Sequence, residues 1–196
     1  MSLPRSKIEY LTHSWNFMVG CRHDSTVCPC AEDCWAKTIA GRFHRSFEPY
    51  LISERLLAPL TLRKPSRIGA CFTGDLFGDW VDPNMMITLR LEPGLFHLEP
   101  KGTEELCSMP FLDWVSYVCR RCRQHRFLFL TKNPSAWLKW GRWPDNAWLG
   151  ASVWNTRSAL ETAIALRNTD CAHRWLSLEP VLASINLPSV FLRDTD

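Results

Sequence analysis

Hydrophobic positions along the chain follow two different periodicities. Apolar residues form short continuous runs, typical of strands buried in a parallel sheet, at residues 15–19, 68–73, 126–132, 148–153 and 174–180. Between these runs, apolar residues recur every three or four positions, as at Trp35, Ile39 and Phe43. This spacing predicts helices at 34–43, 111–122 and 158–168, with shorter helical turns at 52–60 and 134–141. The alternation of strand and helix predicts an α/β protein with a parallel sheet.

The sequence also predicts an insertion, a helix cap and the number of strands. Residues 82–108 contain three prolines and two glycines, which indicates a loop-rich insertion with at most one helical turn. Ser158 and Glu161 resemble a capping box in which Ser158 is the N-cap of the helix that follows. A sixth strand is predicted at 190–192. Five or six strands are too few for a closed eight-stranded barrel, so we expect one domain over residues 1–196 with an open sheet.

Composition narrows the class of protein. The 196 residues are 46% apolar, enough for a core that needs no disulfides, and the net charge of +3 gives no strong field for polyanions. The N-terminus lacks the apolar segment of a signal peptide, and no apolar run reaches eighteen residues. We therefore expect a soluble cytoplasmic protein. Because cytosolic thiols stay reduced, its nine cysteines are better explained by metal binding or packing than by a disulfide framework.

Four of these cysteines crowd one segment, the cysteine loop (residues 19–35), which holds Cys21, Cys28, Cys30 and Cys34. Structural zinc sites usually combine paired Cys-x2-Cys knuckles separated by a dozen or more residues, and this spacing fits them poorly. Several thiolates in one loop between the first strand and the first helix favour an iron–sulfur cluster. Three thiolates on a four-iron cluster leave one iron open to S-adenosylmethionine. Zinc remains the alternative metal.

Polar residues follow the predicted strands at their carboxyl ends, where parallel α/β proteins place their chemistry. Cys21 follows the first strand, and the others are Asp75, Thr131, Lys132, Ser152 and Glu179. We expect all of them to lie at one edge of the sheet, facing the cysteine loop.

Six sequence blocks also carry a family resemblance. In chain order they are THSWNFMVGC, CWAKTIAGRF, GDLFGDW, FLFLTKNP, WLGASV and LSLEPVL, and the similarity covers roughly residues 10–187. Together they resemble a phage- and mobile-element-associated family with a three-cysteine motif, itself similar to radical S-adenosylmethionine enzymes and without a defined substrate. The resemblance implies a partial, open parallel β/α barrel of the radical S-adenosylmethionine type.

The resemblance also implies a site and an activity. Cys21, Cys30 and Cys34 would hold a [4Fe-4S] cluster, and a deoxyadenosyl radical from S-adenosylmethionine would modify an unknown substrate, with a nucleotide or nucleic acid as one candidate. The pocket for cofactor and substrate would be lined by Asp75, Thr131, Lys132, Ser152 and Glu179. Lys132 suits a carboxylate or phosphate, and Glu179 suits a ribose hydroxyl or an amino group.

The chain departs from the family pattern in two places. Three residues rather than two separate Cys30 from Cys34, and Cys28 is additional, so a closed site with four thiolate ligands is an alternative. In that alternative the protein is a non-catalytic zinc or closed-cluster module that acts through a protein partner. The family pattern also continues beyond the point where this chain ends. We therefore expect the outer edge of the last strand to be covered by residues 188–193, a second copy or a partner.

The remaining features have simpler interpretations. Cys119 and Cys122 are predicted on a half-buried helix face, and Cys71, Cys107 and Cys171 as small apolar residues. The basic run at 120–126 is predicted to be a solvated face, with phosphate contact as the alternative. The ten tryptophans are predicted mainly to fill the core, with stacking on nucleic-acid bases as the alternative.

Overall fold

The structure is a computed structural model that describes residues 2–91 and 105–191. Its helices are α1 (Trp35–Arg42), α2 (Phe111–Arg121) and α3 (Thr156–Arg167), with single 3-10 segments at Ser53–Arg55, Ala58–Thr61, Pro134–Trp140 and Ser189–Phe191. The strands in chain order are β1 (His13–Trp15), β2 (Met18–Val19), β3 (Tyr50–Leu51), β4 (Arg67–Ala70), β5 (Met86–Leu91), β6 (Glu105–Pro110), β7 (Arg126–Thr131), β8 (Ala147–Val153) and β9 (His173–Leu178).

Five of the strands form the central sheet, in the order β1-β4-β7-β8-β9, and every adjacent pair is parallel. The predicted α/β class and the open sheet are therefore confirmed. The sheet does not close: in the parts of the chain that are described, β1 and β9 are its two edges. Because all five strands run the same way, their carboxyl ends share one edge of the sheet.

Aromatic side chains fill the core next to this sheet. Phe127 and Phe129 of β7 are fully buried, and the Phe127 ring lies 5.3 Å from the ring of Trp15 in β1. Trp114 of α2 is also fully buried, with its indole N–H donating to the Ile87 carbonyl at 2.9 Å. Trp137, Trp140 and Trp143 are buried as well, so the predicted core role is confirmed for these tryptophans.

The insertion prediction was wrong in its described part. Strand β5 pairs with β6 as an antiparallel ribbon, and Ile87, Leu89 and Leu91 alternate as its buried residues. The alternation is visible in the sequence MITLRL, but the prolines around it dominated the prediction. Residues 92–104 lie outside the described part of the chain.

Three further predictions need correction. The first predicted strand divides into β1 and β2, which belong to different sheets. The N-cap of α3 is Asn155, because its side chain accepts from the Ser158 N–H while the Ser158 hydroxyl accepts from the Asn155 N–H. Glu161 instead pairs with Arg157 at 2.9 Å. In place of a sixth strand at 190–192, residues 189–191 form a 3-10 turn, and Leu192 lies outside the described part.

Helix α1 has the predicted length but not the predicted packing. Ala36 is its buried residue, whereas Trp35, Ile39 and Phe43 are 54%, 38% and 66% exposed. The apolar spacing therefore marks an outward side of α1.

The two edges of the sheet differ. Residues beside β1 cover its outer edge, since the Ser14 N–H donates to the Pro4 carbonyl and the Ser6 N–H to the Thr12 carbonyl. The segment after β9 turns away from its strand and contacts the start of α3, where Thr156 donates to the Ser184 carbonyl. Up to residue 191 this segment does not pair with β9, so a second copy or a partner at that edge stays a prediction. No helix among the described residues is long and apolar enough to cross a membrane.

Candidate functional site

A cavity of about 450 Å³ lies at the carboxyl ends of the parallel strands. Its volume is in the range of small-molecule sites. The structure brings together on its wall three cysteines of the loop and all five predicted strand-end residues: Cys21, Cys28, Cys34, Asp75, Thr131, Lys132, Ser152 and Glu179.

The three thiols also line a neighbouring cavity of about 320 Å³, so they form a wall between two spaces. Cys30 is half-buried but lines neither cavity. Cys28 therefore accompanies Cys21 and Cys34 on the cavity wall, while the choice between Cys28 and Cys30 as the middle ligand, which the sequence left open, stays a prediction.

Close backbone packing fixes the position of Cys21. The N–H of Gly20 donates to the Thr73 carbonyl at 3.2 Å, and the N–H of Cys21 donates to the Phe47 carbonyl at 3.0 Å. Gly20 has a φ of 82°, and a Cβ at this position would lie 2.6 Å from the Phe47 oxygen. Only glycine fits this close approach, which holds the start of the cysteine loop against the segment that follows β4.

The buried carboxylate of Asp75 joins the cysteine loop to the sheet. Its Oδ2 accepts from the Thr131 hydroxyl at 2.8 Å, from the Lys132 N–H at 3.2 Å and from His23 Nε2 at 2.9 Å. Its Oδ1 accepts from the Phe77 N–H at 2.9 Å. Asp75 and Thr131 line the cavity, and because both oxygens of Asp75 are occupied, the two side chains also hold their neighbours in position.

His23 was considered from the sequence only as a minor candidate metal ligand and was not among the predicted site residues. Its side chain is 6% exposed, it pairs with Asp75, and its ring lies 4.8 Å from the ring of Trp80. Its backbone N–H also points to Cys21 Sγ at 3.4 Å. The available signal was its place as the one histidine inside the cysteine loop.

Burial controls the ionisation of Cys21 and Cys28. Burial, with smaller contributions from the charges of Asp75, Cys28 and Cys34, raises the pKa of Cys21 to about 12. Burial also raises the pKa of Cys28, against which the Lys132 ammonium acts. Cys21 and Cys28 therefore stay protonated near neutral pH until a cation replaces their protons.

The far wall offers polar groups of two kinds. Ser152 is buried, and its hydroxyl has no hydrogen-bond partner among the described residues. Glu179 is exposed and accepts from the Ser177 hydroxyl at 2.6 Å. Tyr10 lies nearby, with a pKa raised by its burial and by the Glu179 charge. Ser152 is the buried group that is free to bind a ligand.

The arrangement falls short of a complete metal site. Across residues 2–91 and 105–191, no three His, Cys, Asp or Glu side chains already converge on one point as metal ligands. Ligation by Cys21, Cys28 and Cys34 therefore requires their side chains to turn toward a common centre.

Comparison with known protein families identifies a match over most of the chain. A family described as "Protein of unknown function (DUF5131)" matches residues 5–90 and 103–192. No curated protein and no solved structure matches the chain.

Proposed function

The chain belongs to the DUF5131 family, and on that premise we propose that it is an iron–sulfur enzyme of the radical S-adenosylmethionine type. One observation carries the proposal: three thiols of a single loop share a cavity with polar side chains at the carboxyl ends of an open parallel sheet. The five strands follow one another in chain order across the sheet, as in a partial β/α barrel.

The donor set fits a cluster with one open iron. Cys21, Cys28 and Cys34 would hold a [4Fe-4S] cluster, and three thiolates leave the fourth iron for S-adenosylmethionine. When bound, the cluster supplies the electron that cleaves S-adenosylmethionine to a deoxyadenosyl radical. The reduced thiols this requires are consistent with a cytoplasmic setting, which is part of the proposal.

The polar side chains of the cavity would bind and orient the cofactor and the substrate. Lys132 provides a positive charge for a carboxylate or phosphate, and the free Ser152 hydroxyl provides a buried hydrogen bond. Glu179, at the exposed side of the cavity, can accept from a ribose hydroxyl or an amino group. Asp75 holds His23 and the end of β7 in place. The substrate class stays open, with a nucleotide or nucleic acid as a candidate.

Metal analysis of anaerobically purified protein tests the proposal. We expect brown protein with about four iron and four sulfide per chain, and a changed electron paramagnetic resonance spectrum of the reduced cluster on adding S-adenosylmethionine. Colourless protein with one zinc per chain would refute it and support the alternative of a non-catalytic module with a protein partner.

Two serine variants separate the candidate middle ligands. Cys28→Ser should lose most of the iron, while the matched Cys30→Ser should retain it, because Cys28 lines the cavity and Cys30 does not. Equal loss from both would point to a closed site with four thiolates.

A further inference from the structure

A second cavity, of about 840 Å³, lies at the opposite end of the sheet. Arg126, Trp148 and His173, at the amino ends of β7, β8 and β9, line it. Strand β7 has six residues, so this basic cavity lies about 17 Å from the carboxyl ends that form the cysteine site. The two sites are separate.

The charge of the basic cavity is strongly one-sided. Four arginines line it, Arg120, Arg123, Arg126 and Arg142, against one carboxylate, Asp145. Arg142 Nε lies 3.7 Å from Asp170 Oδ2. Within residues 2–91 and 105–191, no carboxylate forms an ion pair with the other three arginines. The net charge of the chain is only +3, so these arginines concentrate positive potential at one end of the molecule.

Aromatic rings lie among these arginines. The rings of Trp148 and His173 stack, with centroids 4.7 Å apart and planes inclined by 30°. The Arg126 guanidinium lies 5.5 Å from the centre of the Trp148 ring. His173 is exposed, so its face away from Trp148 is open to another flat ring. Flat rings beside cations provide the two contacts that a nucleotide needs, one for its base and one for its phosphate.

We propose that the basic cavity binds a nucleoside phosphate, either as a free nucleotide or as one unit of a single-stranded nucleic acid. The arginines contact phosphate, and the base stacks on His173. Binding in the basic cavity does not depend on the metal proposed for the cysteine site, so its test is independent of the proposed enzyme function.

Fluorescence anisotropy with the full-length protein tests the site. The probe is a fluorescein-labelled twelve-nucleotide single-stranded RNA of mixed sequence, and the competitors are ATP and sodium phosphate. We expect binding that weakens with salt, with Arg123→Gln/Arg126→Gln at least about tenfold weaker and a shallower salt slope by about 0.7 for each lost phosphate contact. His173→Ala should weaken binding at least about fivefold through lost stacking.

Arg157→Gln is the matched control, since it removes an exposed arginine at the amino end of α3 and should leave binding unchanged. Circular dichroism confirms that each variant is folded. ATP that displaces the RNA at equal or lower concentration than unlabelled RNA indicates a free nucleotide, whereas tighter competition by RNA indicates a strand, and both support the site. The proposal is overturned if neither RNA nor ATP binds, if sodium phosphate competes as well as ATP, or if the double arginine variant matches Arg157→Gln.

Discussion

Replacing Asp75 by asparagine tests the link between the cysteine loop and the sheet. The carboxylate accepts four hydrogen bonds, three of them at Oδ2. An asparagine oxygen can keep those three, but its amide group must then face the Phe77 N–H, donor against donor. Loss of that bond and of the charge that strengthens the others should cost about 2–4 kcal/mol of unfolding free energy.

Urea unfolding of the metal-free protein, followed by tryptophan fluorescence, measures this cost. In a chain of this size it corresponds to a fall in melting temperature of about 5–15 °C. Asp79→Asn is the control, because Asp79 pairs with Lys139 at the surface and should change stability by less than about 0.5 kcal/mol. An Asp75→Asn protein as stable as Asp79→Asn would refute the anchoring role.

Two further predictions concern the same region. In urea titrations, Gly20→Ala should lower the unfolding free energy by more than about 2 kcal/mol, because the added Cβ meets the Phe47 carbonyl at a left-handed φ. The control is Gly41→Ala in α1, where an added Cβ has no atom within 4 Å, so the change should be neutral or stabilising. Equal effects of the two substitutions would contradict the packing account. Because the pKa of Cys21 is raised, the folded metal-free chain keeps a proton that the unfolded chain loses above about pH 8.5. The unfolding free energy should therefore fall between that pH and about 12, and Cys21→Ser should make this fall shallower. An unchanged slope in the variant would contradict the raised pKa.

Sequence reasoning succeeded where one periodicity dominated. Strand β7 and helix α2 were predicted within two residues, because RFLFLT is continuously apolar and Phe111, Val115 and Val118 share one helix side. It failed at β5, where alternation competed with nearby prolines, and at α1, where Ala36 packs inward instead of the larger Trp35. Helical spacing shows that residues share a side, but not which side faces the core.

The strand-end residues could be anticipated because parallel strands bring their carboxyl ends together. The choice between Cys28 and Cys30 could not, since both lie in a loop without periodicity and their direction depends on turns after Asp24. The pairing of His23 with Asp75 joins residues 52 positions apart, which local patterns do not reveal.

Both ends of the cysteine loop are fixed by backbone hydrogen bonds that do not require a metal. Cys21 is held by the Phe47 carbonyl, and the Cys34 carbonyl accepts the Thr38 N–H at 2.9 Å as the N-cap of α1. Folding of the domain alone therefore brings the outer cysteines near each other and removes a loop-closure entropy of about 2 kcal/mol from metal binding. The backbone of the cysteine loop is thus preorganised at both ends, and only the thiol side chains have to turn. A small zinc finger is unfolded without its metal, whereas under the proposed function this chain folds first and then binds the metal, with an affinity above that of a free peptide of residues 19–35.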